Sequence, residues 1–193
     1  MSGFSGMVWL NPPAAVAEDA GVLSVVTAEK TDFWRETFYG FVRHSGHFLW
    51  QEVPGDFTAE VTIAGEYEAL YDQAGLMMRI SERHWIKCGV EVNDGVPVFS
   101  TVITNDRSDW ATMPLPFDAT TVRLRLSRHG EAVRVDVARP EGGWLLARLG
   151  HLPEGVPAQV GLMACSPERG GFRVEFRDYR MGPPIARDLH NGL

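Results

Sequence analysis

Residues 71–80 and 85–92 alternate between two kinds of side chain with a period of two, the spacing of a strand with one buried face. In the first segment Leu76, Met78 and Ile80 share a face, and Gln73, Gly75, Met77 and Arg79 share the other. In the second, Ile86, Cys88, Val90 and Val92 form the apolar set, and Trp85, Lys87, Gly89 and Glu91 point the opposite way. Asn93-Asp94-Gly95 follows, a tight-turn signal that predicts a hairpin joining 85–92 to 97–104.

The same period recurs along the chain. Strands are expected near 7–10, 21–27, 48–52 and 57–63, and again over 121–127, 132–138, 144–149, 156–165 and 172–179. Turns at His129-Gly130 and Glu141-Gly142-Gly143 separate three of the later ones. The Ala-rich patch after Asn11-Pro12-Pro13 reads as turn and loop, and the aromatic-rich stretch 31–40 as a loop or short helical turn. No segment carries a helical stripe of a dozen residues. About ten to thirteen short strands with Gly-, Pro- and Asp-rich turns predict an all-β sandwich of two antiparallel sheets. Residues 1–182 are expected to form a single domain, and 183–193, from Gly182-Pro183-Pro184 onward, a C-terminal tail.

Composition narrows the function classes. The net charge of −7 over 193 residues disfavours nonspecific nucleic-acid binding, which needs a cationic surface. No apolar run approaches a membrane span, and no signal peptide is read at the N-terminus. Cys88 has the parity of its strand's apolar face, whereas Cys165 has the parity opposite Val160, Leu162 and Ala164. Two free thiols and a reducing, cytoplasmic setting are therefore expected.

The polar face of the two opening segments carries the candidate chemistry. Trp85, Lys87 and Glu91 on one strand face, extended by Gln73 and Arg79 on the preceding strand, would make a floor for a polar ligand, with Trp85 stacking on a ring. The bland alternative is an exposed Lys87–Glu91 ion pair of little worth. Ser100 and Thr104 have the parity to continue the floor after the hairpin, and Trp34 and Trp110 would supply aromatic walls. Gly75 and Gly89 leave room for a ligand or mark bulges. His44, His47, His84 and the loop carboxylates Asp106 and Asp109 lack metal-ligand spacing, so neither a metal nor another cofactor is expected. There is no Gly-x-Ser-x-Gly elbow and no Gly-rich phosphate loop.

The succession Thr31-Asp32-Phe33-Trp34, Tyr71-Asp72-Gln73-Ala74-Gly75-Leu76, Trp85-Ile86-Lys87 with Gly89 and Glu91, Thr104-Asn105 with Asp109-Trp110, and Val160-Gly161-Leu162 resembles the regulation of enolase protein domain family of bacteria and fungi. The resemblance covers roughly residues 8–182 and implies a concanavalin A-like jelly roll of the lectin and glucanase type, a fold that often holds carbohydrate on a concave sheet. Fold does not fix function. Glucanases of this fold are similar in using a Glu-x-Asp-x-Glu-like strand, and none occurs here; the acids of 175–178 fall on opposite faces.

The leading expectation is a module binding a carbohydrate or related small molecule. The first alternative is a glycoside-processing enzyme with Glu91 as acid or base and Asp72 as its partner, which requires two carboxyl groups about 5–9.5 Å apart. The second is an interaction domain acting on a metabolic enzyme, which requires an exposed apolar patch.

Overall fold

The computed structural model describes residues 3–189; positions 190–193 of the expected tail lie outside the described residues. Sixteen strands form two seven-stranded antiparallel sheets and one small hairpin. Across the first sheet the order is β1 (Val8–Leu10), β6 (His47–Val53), β15 (Ala158–Cys165), β8 (Gln73–Arg79), β9 (His84–Asn93), β10 (Val96–Asn105) and β11 (Arg107–Met113). Across the second it is β14 (Trp144–His151), β13 (Ala132–Ala138), β12 (Thr121–His129), β7 (Phe57–Gly65), β16 (Arg173–Gly182), β3 (Val22–Val26) and β2 (Ala15–Asp19). The separate hairpin pairs β4 (Phe33–Arg35) with β5 (Val42–His44).

The period-two pattern is the reason for the layering. Leu76 and Met78 of β8 and Ile86, Cys88 and Val90 of β9 meet Ala59, Val61 and Ile63 of β7 and Leu124 and Leu126 of β12 in one core between the sheets. The expected hairpin forms with Asn93 opposite Val96, and Asp94 and Gly95 at φ 50° and 78° give the turn a type I′ geometry, whose twist matches the strands. Both cysteines are free and buried, Cys88 in the intersheet core and Cys165 on the opposite side of the first sheet. Among the described residues no helix is long and apolar enough to cross a membrane.

Three segments differ from expectation. The Ala-rich patch forms β2, an edge strand exposed along its whole length, so no apolar alternation marked it. Residues 107–113 form β11, another edge strand held by its backbone ladder to β10. The stretch 31–40, expected as loop or helical turn, instead supplies β4 and the turn of the β4–β5 hairpin, which runs over residues 33–44. Residues 183–189 carry no strand, and the segment is tied down where Ile185 N–H donates to Thr58 Oγ1 and Arg134 Nη1 donates to the Asp188 carbonyl.

The hairpin decides where a site can lie. It covers part of the first sheet's outer face and buries a second apolar cluster of Phe33, Phe48, Met77, Trp85, Val102, Met163 and Cys165. Its anchors are polar. Arg35 N–H donates to Ser108 Oγ, which is itself bonded to Thr104 Oγ1, and Asn11 Nδ2 donates to the carbonyls of His44 and Gly46.

Candidate functional site

Beside that apolar cluster, between the hairpin and the first sheet, lies a cavity of about 170 Å³. Its floor is built by register. Gln73 of β8 faces Glu91 of β9, and Met77 faces Lys87, with Gly75 opposite Gly89 between the two pairs. The glycines let the strands approach: a Cβ on Gly89 would sit 1.9 Å from the Ala74 carbonyl oxygen, and one on Gly75 1.9 Å from that of Cys88. With no side chain between the pairs, a void of about 10 Å³ remains beneath Gln73, Lys87, Glu91 and Ser100.

The walls are aromatic. Trp34, Tyr39 and Phe41 come from the hairpin, Tyr71 from the residue pair before β8, and Trp110 from β11. Tyr39 stacks on Phe41 with centroids 5.2 Å apart, and Trp34 and Trp110 meet Tyr39 and Tyr71 edge to face. The two phenols share a hydrogen bond of 3.2 Å. That bond, together with burial and the Glu91 charge, pushes the Tyr71 hydroxyl up to about 12.

Ionic groups line the base. Lys87 Nζ donates to Asp32 Oδ1 at 2.8 Å, with both side chains largely withdrawn from water. Burial alone would lower the Lys87 ammonium, but Asp32, Cys165 and Glu91 together hold it above the ordinary lysine value. Burial pushes the Glu91 carboxyl up, opposed by Lys87 and by bonds from Ser100 and Trp110. Trp110 Nε1 donates both to Glu91 Oε2 at 3.1 Å and to Ser100 Oγ at 3.0 Å. Among the described residues the hydrogen bond of the Lys87 ammonium goes to Asp32, and those of the Glu91 carboxylate come from Trp110 and Ser100.

Of the candidates drawn from the sequence, Gln73, Lys87, Glu91, Trp34 and Trp110 line this cavity. Ser100 sits just below it, holding Trp110 and the base of Glu91. Four others lie elsewhere. Trp85 is fully enclosed, tilted against Phe33 at 6.2 Å, because the hairpin covers the face on which it was expected to stand open. Arg79 Nη1 donates to Gln159 Oε1 beyond the cavity, and the Thr104 hydroxyl is committed to Ser108.

Asp72 does not join Glu91. It precedes Gln73 by one residue, and a one-residue step along a strand turns the side chain to the other face. Its carboxylate is completely buried and accepts from Ser166 Oγ, from Arg169 Nε and Nη2, and from the Glu68 and Ala69 N–H groups. It ties two loops together, and the Glu91/Asp72 pair is not formed. The acid that does accompany Glu91 is Asp32, which sequence reasoning passed over although it stands in the motif beside Trp34. Tyr71, Phe41, Pro167 and Glu168 were missed as well. Among the described residues no cluster of three or more His, Cys, Asp or Glu side chains has the arrangement of a metal site.

Comparison with known proteins agrees with the fold. The family described as "Protein of unknown function (DUF1349)" matches residues 9–184. The chain is similar to Regulation of enolase protein 1 of Saccharomyces cerevisiae, with 46% identity over 183 residues, 95% of this chain and 92% of that protein. A crystal structure of a functionally unknown protein from Saccharomyces cerevisiae superimposes with a TM-score of 0.91 at 45% identity, covering 96% of this chain and all (100%) of that one. More distant in sequence is the carbohydrate binding module CBM66 from Bacillus subtilis, with a TM-score of 0.60 at 14% identity, covering 94% of this chain and 98% of that one. The GH43 protein BlXynB of Bacillus licheniformis gives 0.66 at 16% identity, and the match covers 92% of this chain and 38% of that one. At such identities the likeness shows the jelly-roll sandwich alone.

Proposed function

From the premise that this chain belongs to the DUF1349 family and folds as a concanavalin A-like jelly roll, we propose that it is a binding module for a single sugar-sized polar ligand, taken up end-on in the cavity beneath the hairpin. The observation that carries this reading is a buried ammonium, Lys87, and a buried carboxylate, Glu91, on one face of β9, both lining a cavity walled by aromatic rings. Adjacent hydroxyls of a sugar ring each need one acceptor and one donor, and the ring's C–H face suits an indole or phenol wall.

Size supports one ring rather than a chain. Drug-sized ligands occupy about 300–1,000 Å³, and this cavity has about 170 Å³. Gln73 adds an amide at the floor, its NH₂ tethered to the Tyr71 carbonyl. The arrangement favours binding over hydrolysis, because Asp32, the acid that accompanies Glu91, is held in an ion pair with Lys87. A reducing, cytoplasmic location fits two buried free thiols.

A thermal-shift screen of mono- and oligosaccharides, sugar acids and sugar phosphates tests the proposal. A ligand at a hundred times its Kd should stabilise by about 2.7 kcal/mol, a rise of roughly 5–11 °C for a chain of this length. Trp110→Ala should erase the shift. No stabilising compound in any class would overturn the sugar reading.

A second reading rests on Phe38, which is 94% exposed at the tip of the hairpin with Tyr39, Phe41 and Val42 beside it. Such a patch suits a protein partner, and the name of the 46% identical yeast relative points to a metabolic enzyme. Titration with purified enolase decides it: binding lost in Phe38→Asp supports docking through the tip, and no binding by the wild-type chain discards it.

A further inference from the structure

Building on the reading that this cavity holds one small ligand, we infer that the ligand is a cation, an amino sugar or similar compact ammonium compound, seated between the aromatic rings and Glu91.

Three carboxylates, Asp32, Glu91 and Glu168, line the cavity against one ammonium, Lys87. Lys87 and Asp32 neutralise each other across 2.8 Å. That leaves Glu91 and the exposed Glu168 at the rim without an ion pair of their own among the described residues. Glu91 is the more telling of the two. It is 6% exposed, and its hydrogen bonds among the described residues come from neutral groups, the Trp110 indole and the Ser100 hydroxyl. A buried carboxylate held this way carries a large desolvation cost that a bound cation removes. The upward push of burial on its proton affinity has the same origin.

The walls point the same way. Ring faces carry negative quadrupole potential, and several rings around one small space make a cation cage. Five aromatic side chains line the cavity, and the phenols of Tyr39 and Tyr71 are bonded to each other. The cage already holds a cation on its outside, where the Arg43 guanidinium lies 4.6 Å from the Phe41 centroid. An anionic ligand would meet three carboxylates, and a neutral one would leave Glu91 as it is. Lys87, already paired, remains free to donate to a hydroxyl of the same ligand. The buried ionic cluster of Arg125 and Arg134 on Asp136, with Trp144 against Arg125, is held by its own members and by the Asp188 carbonyl and does not reach this cavity.

The test is titration calorimetry on the full chain at pH 7 and fixed ionic strength. The probes are 2-amino-2-deoxyglucose and 2-amino-2-deoxygalactose, their N-acetyl derivatives, the parent hexoses, and choline. The expected result is at least a ~10-fold preference for the free amines over their neutral counterparts. That preference should vanish in Glu91→Gln and survive largely intact in Glu168→Gln. Neutral sugars binding as well as the amines, or better, overturn the cation and leave the sugar site standing. Choline binding with no sugar bound keeps the cation and overturns the sugar. No binding by any probe overturns both. The wild-type comparisons decide the matter even if Glu91→Gln fails to fold.

Discussion

Replacing Asp32 by Asn removes one charge from the buried pair and almost no volume. Asp32 Oδ1 accepts from the Phe33 N–H at 2.8 Å as well as from Lys87 at 2.8 Å, and an amide oxygen can keep the first bond. The perturbation is therefore mainly electrostatic. The Lys87 side chain is 5% exposed and that of Asp32 17%, so water offers little compensation. Breaking such a pair from one side typically costs about 3–5 kcal/mol. Glu91 stands on the same strand face and takes over part of the ammonium's field, which places Asp32→Asn near the lower end, about 3 kcal/mol. At roughly 2–4 °C per kcal/mol for a chain of this length, the melting temperature should fall by about 6–12 °C. Lys87→Met removes the other charge and leaves the better-hydrated partner, so it should cost less. The double variant should be no worse than Asp32→Asn alone, because neither charge remains. Urea denaturation of the four proteins gives the coupling energy directly. Additive effects, or a loss below about 1 kcal/mol in Asp32→Asn, would refute the claim that this pair is buried and holds the hairpin to the sheet.

Trp85→Ala should destabilise by about 3–5 kcal/mol, since the ring is fully buried against Phe33; ligand binding lost with stability unchanged would instead make Trp85 an open platform. Gly89→Ala forces a Cβ to 1.9 Å from the Ala74 carbonyl oxygen, so the variant should lose at least ~3 kcal/mol or fail to fold, read by yield and by the urea midpoint. Glu91 holds its proton more tightly folded than unfolded; its contribution to stability is therefore greatest at acid pH and falls as pH rises from the ordinary carboxylate range through its raised pKa. Unfolding free energies between pH 4 and 8 should show this slope, and Glu91→Gln should flatten it.

The fold was legible wherever a strand has one dry face. β7, β8, β9, β12 and β13 announce themselves by alternation, which sets Lys87 and Glu91 on one face of β9, and the Asn93-Asp94-Gly95 turn fixes the register of β9 against β10. The site was legible only in part, because alternation says which face a side chain takes and not what covers that face. Gln73, Lys87 and Glu91 share a parity and line one cavity, and Trp110, expected as a wall with no strand to aim it, stands beside them, whereas Trp85, with the same parity as Lys87, lies two residues along the strand and under the hairpin. Asp72 failed for the opposite reason. It was expected across from Glu91 on the neighbouring strand, but the residue opposite Glu91 is Gln73, one step along, which turns Asp72 to the other face. Asp32 belongs to a segment without periodicity, and Tyr71, although it begins the alternating run of 71–80, has a φ of 64°, outside the strand region, so the alternation could not aim it.

The hairpin of residues 33–44 is where structure and function meet. One side of it closes the apolar cluster over Trp85, and the other supplies Trp34, Tyr39 and Phe41 to the cavity. Its own ladder is only three residue pairs long, too short to stand alone in water. It depends on Asp32 against Lys87, Arg35 N–H against Ser108, and the Asn11 bonds to the carbonyls of His44 and Gly46. A ligand touching both the rings and the floor adds one more tie between the same two elements. Its binding free energy is therefore stability lent to the hairpin, and amide exchange over 33–44, slowed by ligand more than in β12 or β13, is where occupancy should be read first.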